Sequence, residues 1–296
     1  MKNKILLLLL FVLLVTGCKI KKDNEKLSIV TTSFPCYDVA RAITSDNANI
    51  KMLIKPGMEV HTYDPTPQDV MDVADADVFI YIGGESDEWV EDVLDSANNK
   101  DLVVIKLADY VDLLAEDGEE DEFDEHIWTS PKNLVLMING ALEVIIKVDT
   151  DNEDIYKENA SKYIEEINKL DSEFDEIISN SNQDKLIFAD RFPFKYFAND
   201  YKLDYKAAFI GCSAETEVSA KTLKELINEV NVNNIPYVFY LELSNQKIAD
   251  AIIEETGCNK IMLHSGQNIT ASEFNDGITL VDIMKNNRDN LKEAMK

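Results

Sequence analysis

The chain has 296 residues, 45% of them apolar, enough to bury one large core or two ordinary ones. Acidic residues outnumber basic ones 56 to 29, and the formal charge of -27 excludes nucleic-acid binding, which needs the opposite sign. Such a surface can attract cations, although acidity alone serves solubility just as well.

The first residues read as an export signal. Lys2 and Lys4 precede the apolar run "ILLLLLFVLLV", which is shorter than the roughly 20 residues a bilayer-spanning helix needs. Small residues follow and end on Cys18, so "LVTGC" reads as a lipobox, with residues 1–17 removed and lipid placed on Cys18. Residues 18–26 then form a hydrophilic tether to the outer face of the cell membrane, of Gram-positive type, with membrane contact through the lipid alone. Cys36, Cys212 and Cys258 remain, an odd count that gives no complete disulfide framework. Cys36 and Cys258 sit among apolar residues and read as buried thiols. Cys212 lies beside acids, and its state stays open.

From residue 27 to 149 short apolar runs alternate with amphipathic stretches. "LSIVTTSF", "NIKMLIK", "DVFIYIGG" and "LVVIKLA" read as strands, with "YDVARAITS", "PQDVMDVADA" and "WVEDVLDSA" as helices between them. Continuous apolar strands separated by helices imply a parallel sheet covered on both faces. The acidic run "EDGEEDEFDE", 116–125, reads as a mobile loop, since like charges repel and bury nothing. Residues 150–181 carry apolar positions every three or four residues and predict one long linking helix. Alternation resumes over 182–296, with "KLIFAD", "YKAAFI", "PYVFYLEL" and "KIMLHS" as strands and a closing helix near 279–294. The fold class is therefore α/β: two lobes with mostly parallel sheets joined by a long helix. No internal repeat is evident.

The chain has only three histidines, His61, His126 and His264. In this reading each lies at or beyond the C-terminal end of a strand, the edge where open α/β sheets bind ligands. Pro56-Gly57 and Pro65-x-Pro67 restrain His61, while Trp128 and Pro131 follow His126 closely. Three imidazoles from two lobes favour zinc, copper or iron over calcium or magnesium. Histidine ligands usually give their second ring N–H to a carboxylate, and Asp64 and Asp124 are neighbours able to accept it. Glu242, Glu215, Glu217 and Cys212 could also line a cleft, although "SAETEVSAKTLKEL" reads more simply as a helix start capped by Ser219. The aromatic residues of "FPFKYF" and "YVFYL" read as core.

"TTSFPCYDVARAI", "KPGMEVHTYDPTPQD", "DEHIWTSPKN" and "SAETEVSAKTL" together resemble the signature stretches of the cluster A-I solute-binding lipoproteins of zinc and manganese ABC importers. The resemblance runs in order through nearly all of the mature chain. It implies two α/β lobes joined by a rigid helix, metal held between them, a permease partner and a monomer. It makes His61 and His126 the two first-lobe ligands. In the second lobe "ADRFPFKYF" puts Arg191 where the family usually has a third histidine, and arginine cannot ligate a cation. The resemblance then implies Asp190 as an oxygen ligand, or a vacated corner, and it aligns His264 with the family's last carboxylate ligand.

The resulting expectation is an extracytoplasmic receptor, not an enzyme, that captures Zn2+, or alternatively Mn2+, and delivers it to an ABC importer. A cell-surface zinc hydrolase is the rival from another class. It would need a general base and an open coordination position, and the chain has neither His-Glu-x-x-His nor Gly-x-Ser-x-Gly. A metal-free adhesin would leave the placement of the histidines unexplained.

Overall fold

A computed structural model of the chain describes residues 26–116, 119–209 and 218–296. The export signal, Cys18, Cys212, Glu215 and Glu217 lie outside the described residues.

The apolar runs of the first half become β1 (Leu27–Thr31), β2 (Ala48–Met52), β3 (Val78–Tyr81) and β4 (Val103–Lys106). They pair in parallel in the order β2-β1-β3-β4. Helices α1 (Phe34–Thr44), α2 (Pro67–Ala74) and α3 (Val90–Ala97) connect them. The acidic run is not wholly a loop. β5 (Ala115–Glu116) pairs antiparallel with β6 (Glu119–Phe123), and Asp124 and Glu125 just after it are buried. Buried carboxylates persist here because each finds donors, described below.

Residues 131–148, for which the sequence pattern gives no element, form α4 (Pro131–Val148), capped by Ser130 accepting from Asn133 N. The predicted long helix is α5 (Glu153–Ser179), and α4 and α5 pack against each other. The second sheet holds β7 (Lys185–Phe188), β8 (Asp204–Ala207), β9 (Tyr237–Tyr240) and β10 (Asn259–Met262), all parallel, in the order β10-β9-β7-β8. Helices α6 (Lys195–Tyr201), α7 (Ala220–Asn233) and α8 (Lys247–Thr256) connect its strands. The short α9 (Ala271–Asn275) and the closing α10 (Leu280–Ala294) follow. Ser219 caps α7 by accepting from Thr222 N.

Both sheets are wound alike: the first strand of each, β1 or β7, lies between the second and the third. The repeat absent from the sequence is thus present in the topology. It puts the ligand-binding edge of each lobe at the C-terminal ends of its strands.

One continuous apolar core runs from Ile29 and Phe34 in the first lobe, through Leu170 and Phe174 on α5, to Phe188, Leu263 and Leu291 in the second. Each lobe has a smaller core on its outer face, around Phe79 and around Val238. Asp38 on α1 reinforces the shared core. Its buried carboxylate accepts from Arg41, from Tyr163 on α5 and from Leu280 N (2.9 Å) at the start of α10. Among the described residues Cys36 and Cys258 are free thiols; Cys36 is buried as expected, and burial pushes it up to about 12, whereas Cys258 is only half-buried.

Candidate metal centre

The turn that carries His61 is built from local rules. Pro65 and Pro67 flank Thr66, which caps α2, while Asp69 accepts from Thr66 N (2.7 Å) and from the Tyr63 hydroxyl (2.9 Å). The ring of Trp89 packs against Tyr63. His61 is thereby projected beyond the end of β2, into a cleft between the lobes.

Its Nδ1 lies 2.8 Å from Ser86 Oγ, and that hydroxyl donates to Glu125 Oε1 at 2.6 Å. With its proton committed to Glu125, Ser86 Oγ accepts from His61 Nδ1–H, so the lone pair of His61 resides on Nε2. Glu125 also accepts from Ser86 N at 2.9 Å. Gly84 makes room for it, since a Cβ there would stand 2.4 Å from Glu125 Cβ. Burial holds the His61 pKa below its ordinary value, against the opposing pull of Glu125.

His126 is oriented the same way by the preceding residue but one. Asp124 Oδ1 accepts from His126 N at 2.9 Å and lies 3.1 Å from His126 Nδ1, which again leaves the lone pair on Nε2. Trp128 packs against the ring, 5.4 Å between centroids, and Tyr196 of the second lobe donates to the Asp124 carbonyl at 2.8 Å. Of the two acids expected behind the histidines, Asp124 therefore takes that position. Asp64 does not: Ser86 and Glu125 stand there instead. No pattern in the sequence marks Ser86 or Glu125, because the serine comes from the loop after β3 and the glutamate from the end of the acidic run.

His61 and His126 both line a cleft cavity of about 660 Å³, whose second-lobe wall includes Asp190, Arg191, Glu242, Lys247 and Gln267. Asp190, just beyond β7, thus shares the cavity with the first-lobe pair, and its Oδ1 accepts from Arg191 N at 3.1 Å. His264 does not line it. Its buried side chain accepts from Gly266 N at Nδ1 (3.0 Å), and its Nε2 lies 3.8 Å from Glu273 without a hydrogen-bond partner. Glu242 accepts from Ser265 N at 2.8 Å and from the Ser265 hydroxyl, fixing the loop after β10. That loop reaches across the cleft: Gln267 Nε2 stands 3.3 Å from His61 Nε2 and 3.3 Å from Glu125 Oε1. Asn268 Oδ1 accepts from Gly57 N at 3.0 Å, and Trp128 Nε1 donates to the Ser265 carbonyl at 2.9 Å. Gln267 carries no sequence signal of its own. Among the described residues no three His, Cys, Asp or Glu side chains converge closely enough to hold a metal. Two oriented imidazoles facing one cavity are what the described residues offer a soft divalent cation.

Comparison with known proteins gives a consistent result. The profile of the family described as "ZnuA: Zinc-uptake complex component A periplasmic" matches residues 29–294. The "Zinc-binding lipoprotein AdcA" of Streptococcus pneumoniae is 30% identical over 306 residues, covering 99% of this chain and 61% of its own length. The chain thus spans less than two thirds of that relative. The "High-affinity zinc uptake system protein ZnuA" of Bacillus subtilis is 28% identical over 284 residues, 92% of this chain and 88% of its own. Among solved structures, the Zn(II)-bound ZnuA-like domain of Streptococcus pneumoniae AdcA superposes with a TM-score of 0.78 at 31% identity, over 91% of this chain and 99% of that one.

Proposed function

The chain belongs to the zinc-uptake complex component A family, and on that premise we propose that it is an extracytoplasmic receptor. It captures zinc between its lobes and hands it to the permease of an ABC importer. Residues 27–149 and 182–296 act as the lobes and 150–181 as the link. Lipid on Cys18 tethers the receptor, as a monomer, to the outer face of the membrane.

The observation that carries this reading is the matched pair of cavity-lining imidazoles, each with Nδ1 turned to an oxygen acceptor, which puts its lone pair on Nε2. His61 and His126 are the first-lobe ligands, and Asp190 supplies an oxygen from the opposite wall. His264 serves as a support, holding the loop that brings Gln267 to the cleft. Nitrogen ligands and the rising affinity order along the first row favour zinc over manganese. Both relatives above are named for zinc. The protein binds and releases without catalysis. Glu125 and Glu242, the acids beside the histidines, each hold a serine in place and are not poised as a general base for water.

Calorimetry under chelator competition tests this reading. One zinc should bind per chain, far more tightly than manganese, and His61→Ala or His126→Ala should weaken it by two orders of magnitude or more. His264→Ala should cost less than tenfold. Tighter binding of manganese, or indifference to His61→Ala, would overturn the assignment.

A further inference from the structure

The cavity is much larger than its cargo needs. At about 660 Å³ it has the size of a small-molecule site, room for on the order of twenty waters, whereas a zinc ion needs only its ligand shell. The wall opposite the histidines sets cations beside its acids Asp190 and Glu242. Arg191 and Lys247 both line the cavity in a chain of formal charge -27. The carboxylate oxygen nearest the Arg191 guanidinium among the described residues, Glu59 Oε1, lies 4.0 Å from Nη1, beyond hydrogen-bond distance. Among the described residues the guanidinium makes no hydrogen bond, so its planar donor fork is available to the cavity.

A guanidinium that shares a cavity with two imidazoles disfavours a lone dication beside it and favours a dication that brings an anion. Zinc takes four ligands in tetrahedral sites, and a carboxylate can bind zinc through one oxygen while a second accepts from arginine. Resting on the receptor reading above, we propose that the cargo is zinc accompanied by a small polycarboxylate. His61 and His126 hold the metal, and Arg191, assisted by Lys247, holds the carboxylate. No bond is made or broken beyond coordination.

The test is equilibrium dialysis of the full chain at buffered free zinc, with labelled citrate and, separately, malonate. One of them should be retained, one per chain, only when zinc is present, and should lower the zinc Kd about tenfold at equal free zinc. Arg191→Met should bind zinc alone at least as tightly as the parent, having lost a neighbouring cation, yet retain neither carboxylate. Arg191→Lys should restore part of the retention. Zinc bound with neither carboxylate retained by the unaltered chain would overturn the proposal and leave the receptor reading standing. So would retention that Arg191→Met does not change. Failure to bind zinc with or without carboxylate would instead remove the receptor reading itself.

Discussion

The side-chain amide of Gln267, on the second lobe, sits 3.3 Å from Nε2 of His61, on the first, at the nitrogen that the Ser86–Glu125 chain leaves for a metal. The cleft is thus bridged by a contact that cargo must displace. A neutral hydrogen bond contributes about 1 kcal/mol net, so Gln267→Ala should tighten zinc binding roughly fivefold and raise its association rate. Stopped-flow zinc binding measures both. A weakening of tenfold or more would show that the amide oxygen serves the metal instead.

Burial keeps His61 neutral below the pH at which an ordinary histidine protonates. At His61 protons then compete with zinc once pH falls through that lowered value. Zinc affinity should therefore hold steady from about pH 8 to about pH 6.5 and decline below it. Affinity measured across this range at fixed ionic strength checks the sign, and a decline beginning above pH 7 would contradict it.

Asp87 accepts from Ile82 N (2.8 Å) and Gly83 N (3.0 Å), yet burial, with Glu125 adding to it, pushes its carboxyl up to about 6. A carboxyl raised on folding holds its proton in the native state, so stability falls as pH rises from about 4 to about 6. Asp87→Asn should accordingly be more stable than the parent at pH 7, by on the order of 2 kcal/mol, with the gain gone at pH 4. Urea unfolding at the two pH values decides it.

Asp38 is a buried carboxylate with donors from α1, α5 and α10. Asp38→Ala would leave the Tyr163 hydroxyl and Leu280 N without their acceptor and should cost about 3 kcal/mol in urea unfolding. Asp38→Asn should recover part of this, since one amide oxygen can still accept.

Apart from α4 and the β5–β6 pair, the order of the main strands and helices was legible in the sequence because it rests on local physics. Apolar runs bounded by glycine and proline make buried strands, and spacings of three and four make α5. The pinning of His61 was legible for the same reason, since Pro65, Thr66, Pro67 and Asp69 are sequence neighbours. Even the orientation of His126 could be anticipated, because Asp124 stands two residues away. What lies behind His61 could not. Ser86, Glu125 and Gln267 come from three separate loops, and only the packing of two sheets around a shared core brings them to one imidazole. The same packing buries the end of an acidic run that its composition alone assigns to solvent, and it leaves His264 off the cavity wall. Local sequence fixes which backbone each segment adopts. Which side chains meet depends on long-range closure, and no periodicity along the chain encodes that distance.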